Sequence, residues 1–246
     1  MSDHQFLDPT RDKVGGGLCA LAIMTKAPEA GRVKTRLSPP LSPEQAAELN
    51  RRFLKDLAAS LEVASSQAAA AGVAVYTPIG KEDLYRGVIP SGFYFVPQRG
   101  NGFGERLVFA AEDLLRLGFN SFCLINSDSP TVPATSFAQA ARELVRDGDR
   151  LVLGPSDDGG YYLIGLKRMH RRLFEEIDWS TEHVLEQTRE RAAELRLETV
   201  MLPTAFDIDD NASLKRLWSD IADEPQTPAR ATRAYLKSIF PNAIKP

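Results

Sequence analysis

Four cations, Lys26, Arg32, Lys34 and Arg36, crowd the stretch KAPEAGRVKTRL (26–37), directly behind the apolar run LCALAIM (18–24). Gly31 lets such a loop turn closely, Lys34 offers a point charge, and Arg36 a planar fork that matches phosphate oxygens. A pyrophosphate is the guest this pattern suits. The stretch is not a P-loop: Val33 stands where that motif needs glycine before its lysine, and Ser38-Pro39-Pro40 stops a helix from starting at once. That argues against a kinase or ATPase of this class.

Carboxylates supply the complementary chemistry. Asp128 follows the apolar run SFCLIN (121–126) and precedes Ser129-Pro130, where it can hold Mg2+ or Mn2+, hard cations that take oxygen ligands and bridge to phosphate. A turn-forming or helix-capping aspartate is the competing reading. Asp207 and Asp209 flank Ile208 and point to one side if extended, so either could supply a second ligand or brace the first.

Two glycine-rich turns complete the set. In QRGNGFGER (98–106) Gln98 offers an amide to a nucleotide base, Gly100 and Gly104 permit close backbone approach, and Arg106 adds a cation, although the GxGxxG spacing of a dinucleotide fingerprint is absent. In SDDGGYY (156–162) Asp158 can accept hydroxyl hydrogen bonds from an acceptor substrate, with Gly159, Gly160 and Tyr161 beside it. A hairpin turn explains those glycines equally well. His4, His170 and His183 have no metal-ligand spacing; His183, near a helix start, could be a third ligand, but a surface histidine is the default reading. Cys19 and Cys123 form no CxxC pair and are expected as small buried hydrophobes.

Such residues need elements to position them. LCALAIM, VAVYT (73–77), FYFV (93–96), SFCLIN, RLVLG (150–154), YYLIGL (161–166) and TVMLP (199–203) read as strands. Between them run amphipathic helices. The most secure begins at Ser42 with Pro43 at its first position, Gln45 completing a capping box, and Ala46, Leu49, Phe53, Leu57 and Leu61 on one stripe. Further helices are expected at GERLVFAAEDLLRLG, near 134–147, 170–176 and 181–195, and in TPARATRAYLKSIF at the C-terminal end. Strands alternating with helices imply an α/β fold, a mostly parallel sheet covered on both faces. Ligands gather at the carboxyl ends of such strands, and the cations, glycines and carboxylates above all follow strands.

Net charge of -3 supplies no global field for nucleic acid or an anionic membrane. No apolar stretch approaches the ~20 residues of a membrane span, and the polar N-terminal stretch has no signal-peptide pattern, so a cytoplasmic protein is expected. Residues 1–17, ending in three glycines, read as a flexible leader, with 18–246 as a single domain. The C-terminal helix could cap the sheet or join a partner in a homodimer.

Taken in order, KAPEAGRVKTRL, QRGNGFGERL, SDSP, DGGYYLIGL, WSTEHVLEQT and DIDDNASL resemble the glycosyltransferase-A-like family known as domain of unknown function 2064 (DUF2064), over residues 18–218. Phospholactate guanylyltransferase and molybdenum-cofactor nucleotidyltransferases are among its relatives. The resemblance implies the GT-A-like, nucleotide-diphospho-sugar transferase fold, a three-layer α/β/α sandwich, with a metal at the aspartate that matches Asp128. The family's usual form there is closer to GTDCP or GSDIP, so Asn126, Ser127 and Ser129 depart from it while Asp128 and Pro130 are kept. DIDDNASL matches the NINTPEDL-like segment of related nucleotidyltransferases at Asp207, Asp209 and Leu214, without its TPED residues. The expectation is a metal-dependent transferase: Lys34 and Arg36 neutralise a leaving phosphate, Lys26, Gly31, Gln98, Gly100, Gly104 and Arg106 line the nucleotide, and Asp158 orients a small-molecule acceptor. The donor is a nucleoside-diphosphate sugar; the rivals are nucleotidyl transfer with release of pyrophosphate, and a nucleotide-binding protein without turnover.

Overall fold

Eight strands form one sheet in the computed structural model, which describes residues 4–222 and 227–240. They are β1 (Gln5–Phe6), β2 (Cys19–Lys26), β3 (Ala70–Thr77), β4 (Tyr94–Pro97), β5 (Ser121–Ile125), β6 (Arg150–Pro155), β7 (Tyr161–Leu166) and β8 (Glu198–Met201). Their spatial order is β1-β4-β3-β2-β5-β7-β6-β8. Every neighbouring pair is parallel except the two made by β7. The reason is connection length: only the short stretch 156–160 joins β6 to β7, too little chain for a crossover, so the two form a hairpin.

Side-chain alternation assigns the layers. Cys19, Leu21 and Ile23 of β2 enter one core, with α1 (Pro43–Gln67) and α3 (Ala134–Val145) over it; Ala20 and Ala22 enter the other, beneath α2 (Phe103–Arg116) and α4 (Val184–Glu194). The result is the expected three-layer sandwich. Both cysteines are buried and unbridged.

α1 starts as its sequence dictates: the Gln45 backbone N–H donates to Ser42 Oγ (3.2 Å), and the Ser42 N–H donates to Gln45 Oε1 (2.8 Å). Its first turns bury Ala46, Leu49 and Phe53 in a third, smaller core with Leu37, Ile208 and the last two helices, α5 (Asn211–Ile221) and α6 (Arg230–Ile239). That cluster decides where the basic loop lies. Leu37, wholly buried, anchors the loop against Phe206 and Ile208, far away in sequence.

Several elements differ from their sequence reading. Residues 4–14 are not a free leader: β1 pairs with β4 as an edge strand, the His4 ring stacks on Phe95 (4.4 Å between centroids), and Val14 is buried with its N–H donating to Leu117 O (2.7 Å). The helix expected near 170–176 shrinks to a 3-10 turn at Arg171–Phe174, and α4 begins only at Val184. β3 starts at Ala70, using the alanine-rich tail of α1 as strand. No helix of the described residues is long and apolar enough to cross a membrane.

Candidate functional site

Lys34 and Asp128 meet. The Lys34 ammonium lies 2.7 Å from Asp128 Oδ1, 2.8 Å from the Ile208 carbonyl oxygen and 2.9 Å from Asp209 Oδ1. Its side chain is only 5% exposed. Burial works against the charge, yet Asp128 and Asp209 outweigh it and hold the Lys34 pKa above the ordinary lysine value. Three oxygens thus occupy the three donors of one ammonium. In this arrangement the Lys34 ammonium faces protein oxygens and not the open part of the cleft.

Asp128 is positioned by residues around it. Its backbone N–H donates to Asn126 Oδ1 (3.3 Å), its carbonyl accepts from the Ile208 N–H (3.0 Å), and Ser127 Oγ donates to Oδ1 (3.2 Å). Asp207 is the buttress behind this turn. It accepts from Asn126 Nδ2 (2.9 Å) and from the Ser129 hydroxyl, and burial pushes its pKa up to about 6, against those two bonds and with the charges of Asp128 and Asp158 adding to the rise. Of the two acids flanking Ile208, therefore, Asp209 shares the ammonium with Asp128 while Asp207 braces the loop. Asn126 and Ser129, which depart from the usual family pattern, are the residues that hold Asp207.

The other cations behave differently from Lys34. Lys26, Arg32 and Arg36 line a cleft of about 300 Å3 with Lys34, Asn50, Ser127, Asp128 and Asp209. None of the three is in a salt bridge with a carboxylate of the described residues, although Glu29 feels the charges of Arg32 and Lys26, and Asp210 that of Arg36. Gly31 turns the loop at φ 71° with open space around it. Arg32 is one of the four loop cations the sequence singles out, whereas Asn50 is not a candidate from sequence. Asn50 sits on α1, 4% exposed, its Oδ1 without a partner; next to Leu49 on a helix, it reads there as an ordinary polar flank.

Neither glycine-rich turn forms a wall of this cleft. Gln98 extends the β3–β4 ladder through its N–H to Tyr76 O (2.7 Å), and Arg106 closes its own turn by donating to Gly100 O (3.2 Å). Gly104 is needed for packing, since a Cβ there would lie 2.4 Å from Trp179 Nε1, and Trp179 in turn leans on Phe103. The second turn is the β6–β7 hairpin. Gly159 has φ 88° and a Cβ would meet Glu182 O at 2.1 Å; Asp158 Oδ1 accepts from the Gly160 N–H (2.9 Å); and the Tyr161 hydroxyl is closed off from solvent. Gly159 and Gly160 thus build the turn and carry the loop before α4, Asp158 is exposed, and Tyr161 lines a second cavity of about 140 Å3 with Asn126, Ser127 and Asp128. His183 is exposed beside Glu182.

Two carboxylates and a carbonyl around one point are the donor chemistry of a hard divalent cation. No three His, Cys, Asp or Glu side chains among the described residues converge as a ready ligand set. The oxygens of Asp128 and Asp209 have the chemistry to hold such an ion, and Lys34 occupies the point between them.

The family described as uncharacterized proteins conserved in bacteria, DUF2064, matches residues 49–181, more than half of the chain. The chain belongs to DUF2064. Within the family's fold, this DUF2064 protein is 28% identical to a protein of Desulfovibrio desulfuricans G20 provisionally assigned as a nucleotide-diphospho-sugar transferase, over 89% of this chain and 94% of that one, with a TM-score of 0.78. A CMP:2-keto-3-deoxy-manno-octonic acid synthetase complexed with CTP aligns over 84% of this chain and 99% of its own at 12% identity and a TM-score of 0.51. A cytidylyltransferase of Leptospira borgpetersenii serovar Hardjo-bovis aligns over 94% and 100% at 13% identity and 0.51. At those identities the last two establish the fold only. No curated protein matches the sequence. The DUF2064 sheet thus has the nucleotide-diphospho-sugar transferase architecture, with the basic cleft and the Asp128–Asp209 pair at its carboxyl edge.

Proposed function

We propose that this protein is a metal-dependent transferase that takes its donor as a nucleoside-diphosphate sugar. One observation carries the reading: three exposed cations in no salt bridge of the described residues, Lys26, Arg32 and Arg36, share a cleft with the Asp128–Asp209 carboxylates. A cluster of exposed positive charge in a concave site calls for an anionic ligand, and the paired acids beside it call for a cation between them and that ligand. The likeness to the Desulfovibrio protein, across nearly the whole of both chains, supports a donor of that type.

In the reaction an acceptor hydroxyl attacks the anomeric carbon and gives up its proton to the solvent or to the leaving phosphate, the bond from that carbon to the β-phosphate oxygen breaks, and nucleoside diphosphate leaves. Arg32 and Arg36 would grip the diphosphate oxygens and stabilise the charge developing on the leaving group. A divalent ion at Asp128 and Asp209 would supply further charge neutralisation on the same oxygens. Asp158, exposed at the neighbouring turn, would accept the acceptor's hydroxyl hydrogen bond, and Gln98 at the same sheet edge would meet the base.

The number of exposed cations favours a second reading, nucleotidyl transfer, in which the phosphate oxygen of an acceptor attacks the α-phosphorus of a nucleoside triphosphate and pyrophosphate leaves. Pyrophosphate carries more charge than the diphosphate bridge of a nucleotide sugar, and three exposed cations suit it well. Product analysis separates the two: incubation with Mn2+ and panels of nucleotide sugars and of triphosphates with sugar phosphates should release nucleoside diphosphate from a member of the first panel. Pyrophosphate release confined to the second panel would transfer the assignment to a nucleotidyltransferase. Nucleotide binding without either product would leave a binding protein.

A further inference from the structure

We infer that Lys34 is the resident cation of the metal position, and that a divalent ion enters by exchange with it, releasing the ammonium toward the phosphate cleft. The inference rests on Asp128 and Asp209 as the metal-facing residues of the proposed transferase. Its basis is a conflict of occupancy. The one point at which Asp128, Asp209 and the Ile208 carbonyl converge is held by an ammonium at 2.7–2.9 Å from all three oxygens. Metal–oxygen distances are shorter, about 2.0–2.6 Å, and two cations cannot share that point.

The surroundings give Lys34 a place to go. Its side chain is a flexible four-carbon stem, and Lys34 itself lines the cleft that contains Lys26, Arg32 and Arg36. Its backbone is left-handed (φ 49°, ψ 37°), unusual for a residue with a Cβ, and sits at the start of the 3-10 turn Thr35–Leu37. The backbone is fixed by the wholly buried Leu37, whose N–H donates to Lys34 O (3.0 Å), so the stem can swing without moving the loop.

Charge then couples the two ligands. With Lys34 in place, the Asp128–Asp209–Lys34 group carries one net negative charge beside the phosphate site. With a divalent ion in place the carboxylates are balanced and the lysine's charge is added to the phosphate side. Metal and polyphosphate therefore favour each other, and each alone meets a site arranged for the absence of the other. Such reciprocity follows from linkage.

The test uses Mn2+ binding without nucleotide, followed by calorimetry, in wild type and Lys34→Met. Removal of the ammonium should tighten Mn2+ by about tenfold or more while weakening nucleotide binding at saturating Mn2+ by a similar factor. Unchanged or weaker Mn2+ binding by a folded Lys34→Met protein overturns the exchange. Should that variant not fold, the wild type answers alone: amine acetylation read by mass spectrometry should label Lys34 slowly in metal-free buffer and about tenfold faster with Mg2+ added, whereas a rate indifferent to Mg2+ overturns the inference. Failure of the nucleotide reading looks different, as metal-dependent Lys34 release with no nucleotide bound from any panel; exchange failure with nucleotide bound leaves the transferase reading intact.

Discussion

Arg32 and Arg36 divide the labour of the basic loop from Lys34. All three are cations within one short stretch, yet one is walled in by carboxylates and the other two face open solvent in the cleft. Arg36→Met should weaken nucleotide binding by about tenfold, the scale of one charge-assisted hydrogen bond, with little change in melting temperature. Arg32→Met should act alike. Calorimetry at two salt concentrations checks both, because the affinity that remains should also depend less on salt. Asp128→Asn leaves the lysine with one carboxylate fewer and should abolish metal-dependent nucleotide binding. Ser129→Ala acts from behind: Asp207, buried and bonded by Ser129 and Asn126, loses a donor, at a cost of about 1–3 kcal/mol in unfolding experiments. At this scale the sequence was informative about charge and silent about pairing. Four cations in a loop are visible in a string of letters; which of them finds an aspartate many strands away is not.

Elements explain why so much of the architecture was legible and where legibility ended. The capping box at Ser42 and the stripe from Ala46 to Leu61 are local signals, and α1 follows them residue by residue. The glycine turns were ambiguous because the same residue serves ligand approach and tight packing, and the deciding neighbours, Trp179 for Gly104 and Glu182 for Gly159, come from a loop with no periodic signal of its own. Gly159→Ala, with positive φ and a backbone oxygen in the way, should destabilise by about 2–4 kcal/mol and detach the loop before α4, read as faster proteolysis there. The start of α6 has no cap of its own; Asp56 of α1 accepts the backbone N–H groups of Ala231 (2.7 Å) and Thr232 (2.8 Å) instead. Asp56→Ala should cost about 1–2 kcal/mol, a fall in Tm of about 4 °C for a chain of this size. Burial raises the Asp56 pKa, so the folded state keeps a proton that the unfolded chain releases above about pH 4. The ionised carboxylate still caps α6, but the burial penalty on its charge sets in as pH rises from about 4 through the raised value, so stability falls across that range; urea midpoints should lose that slope in Asp56→Asn.

Across the whole molecule, the site is a consequence of strand order. β8 lies at the far margin of the sheet, and the chain leaving it crosses back over the carboxyl edge: the Ala205 N–H donates to Pro155 O (2.9 Å), the Asp157 N–H to Ala205 O (3.0 Å), and the Ile208 N–H to Asp128 O (3.0 Å). This return carries Asp207 and Asp209 from the last strand to the central one, where α1 and Leu37 hold Lys34 in wait. The three acids and the lysine are visible in the sequence, whereas the crossing is not, because it exists only once β6, β7 and β8 have taken their order. A ligand that joins the basic loop, the Asp128 turn and the returning segment ties together three parts of the fold with no helix or strand in common, and it should therefore stabilise the molecule as a whole. At a nucleotide concentration about a hundredfold above Kd, linkage predicts about 2.7 kcal/mol, or a rise in Tm of about 5–10 °C at this chain length. Scanned by thermal shift with nucleotide sugars and triphosphates, the rise should need a divalent ion together with one nucleotide class and vanish in Asp128→Asn. Equal shifts in that variant would mean that nucleotides bind elsewhere, and the carboxyl-edge site would have to be abandoned.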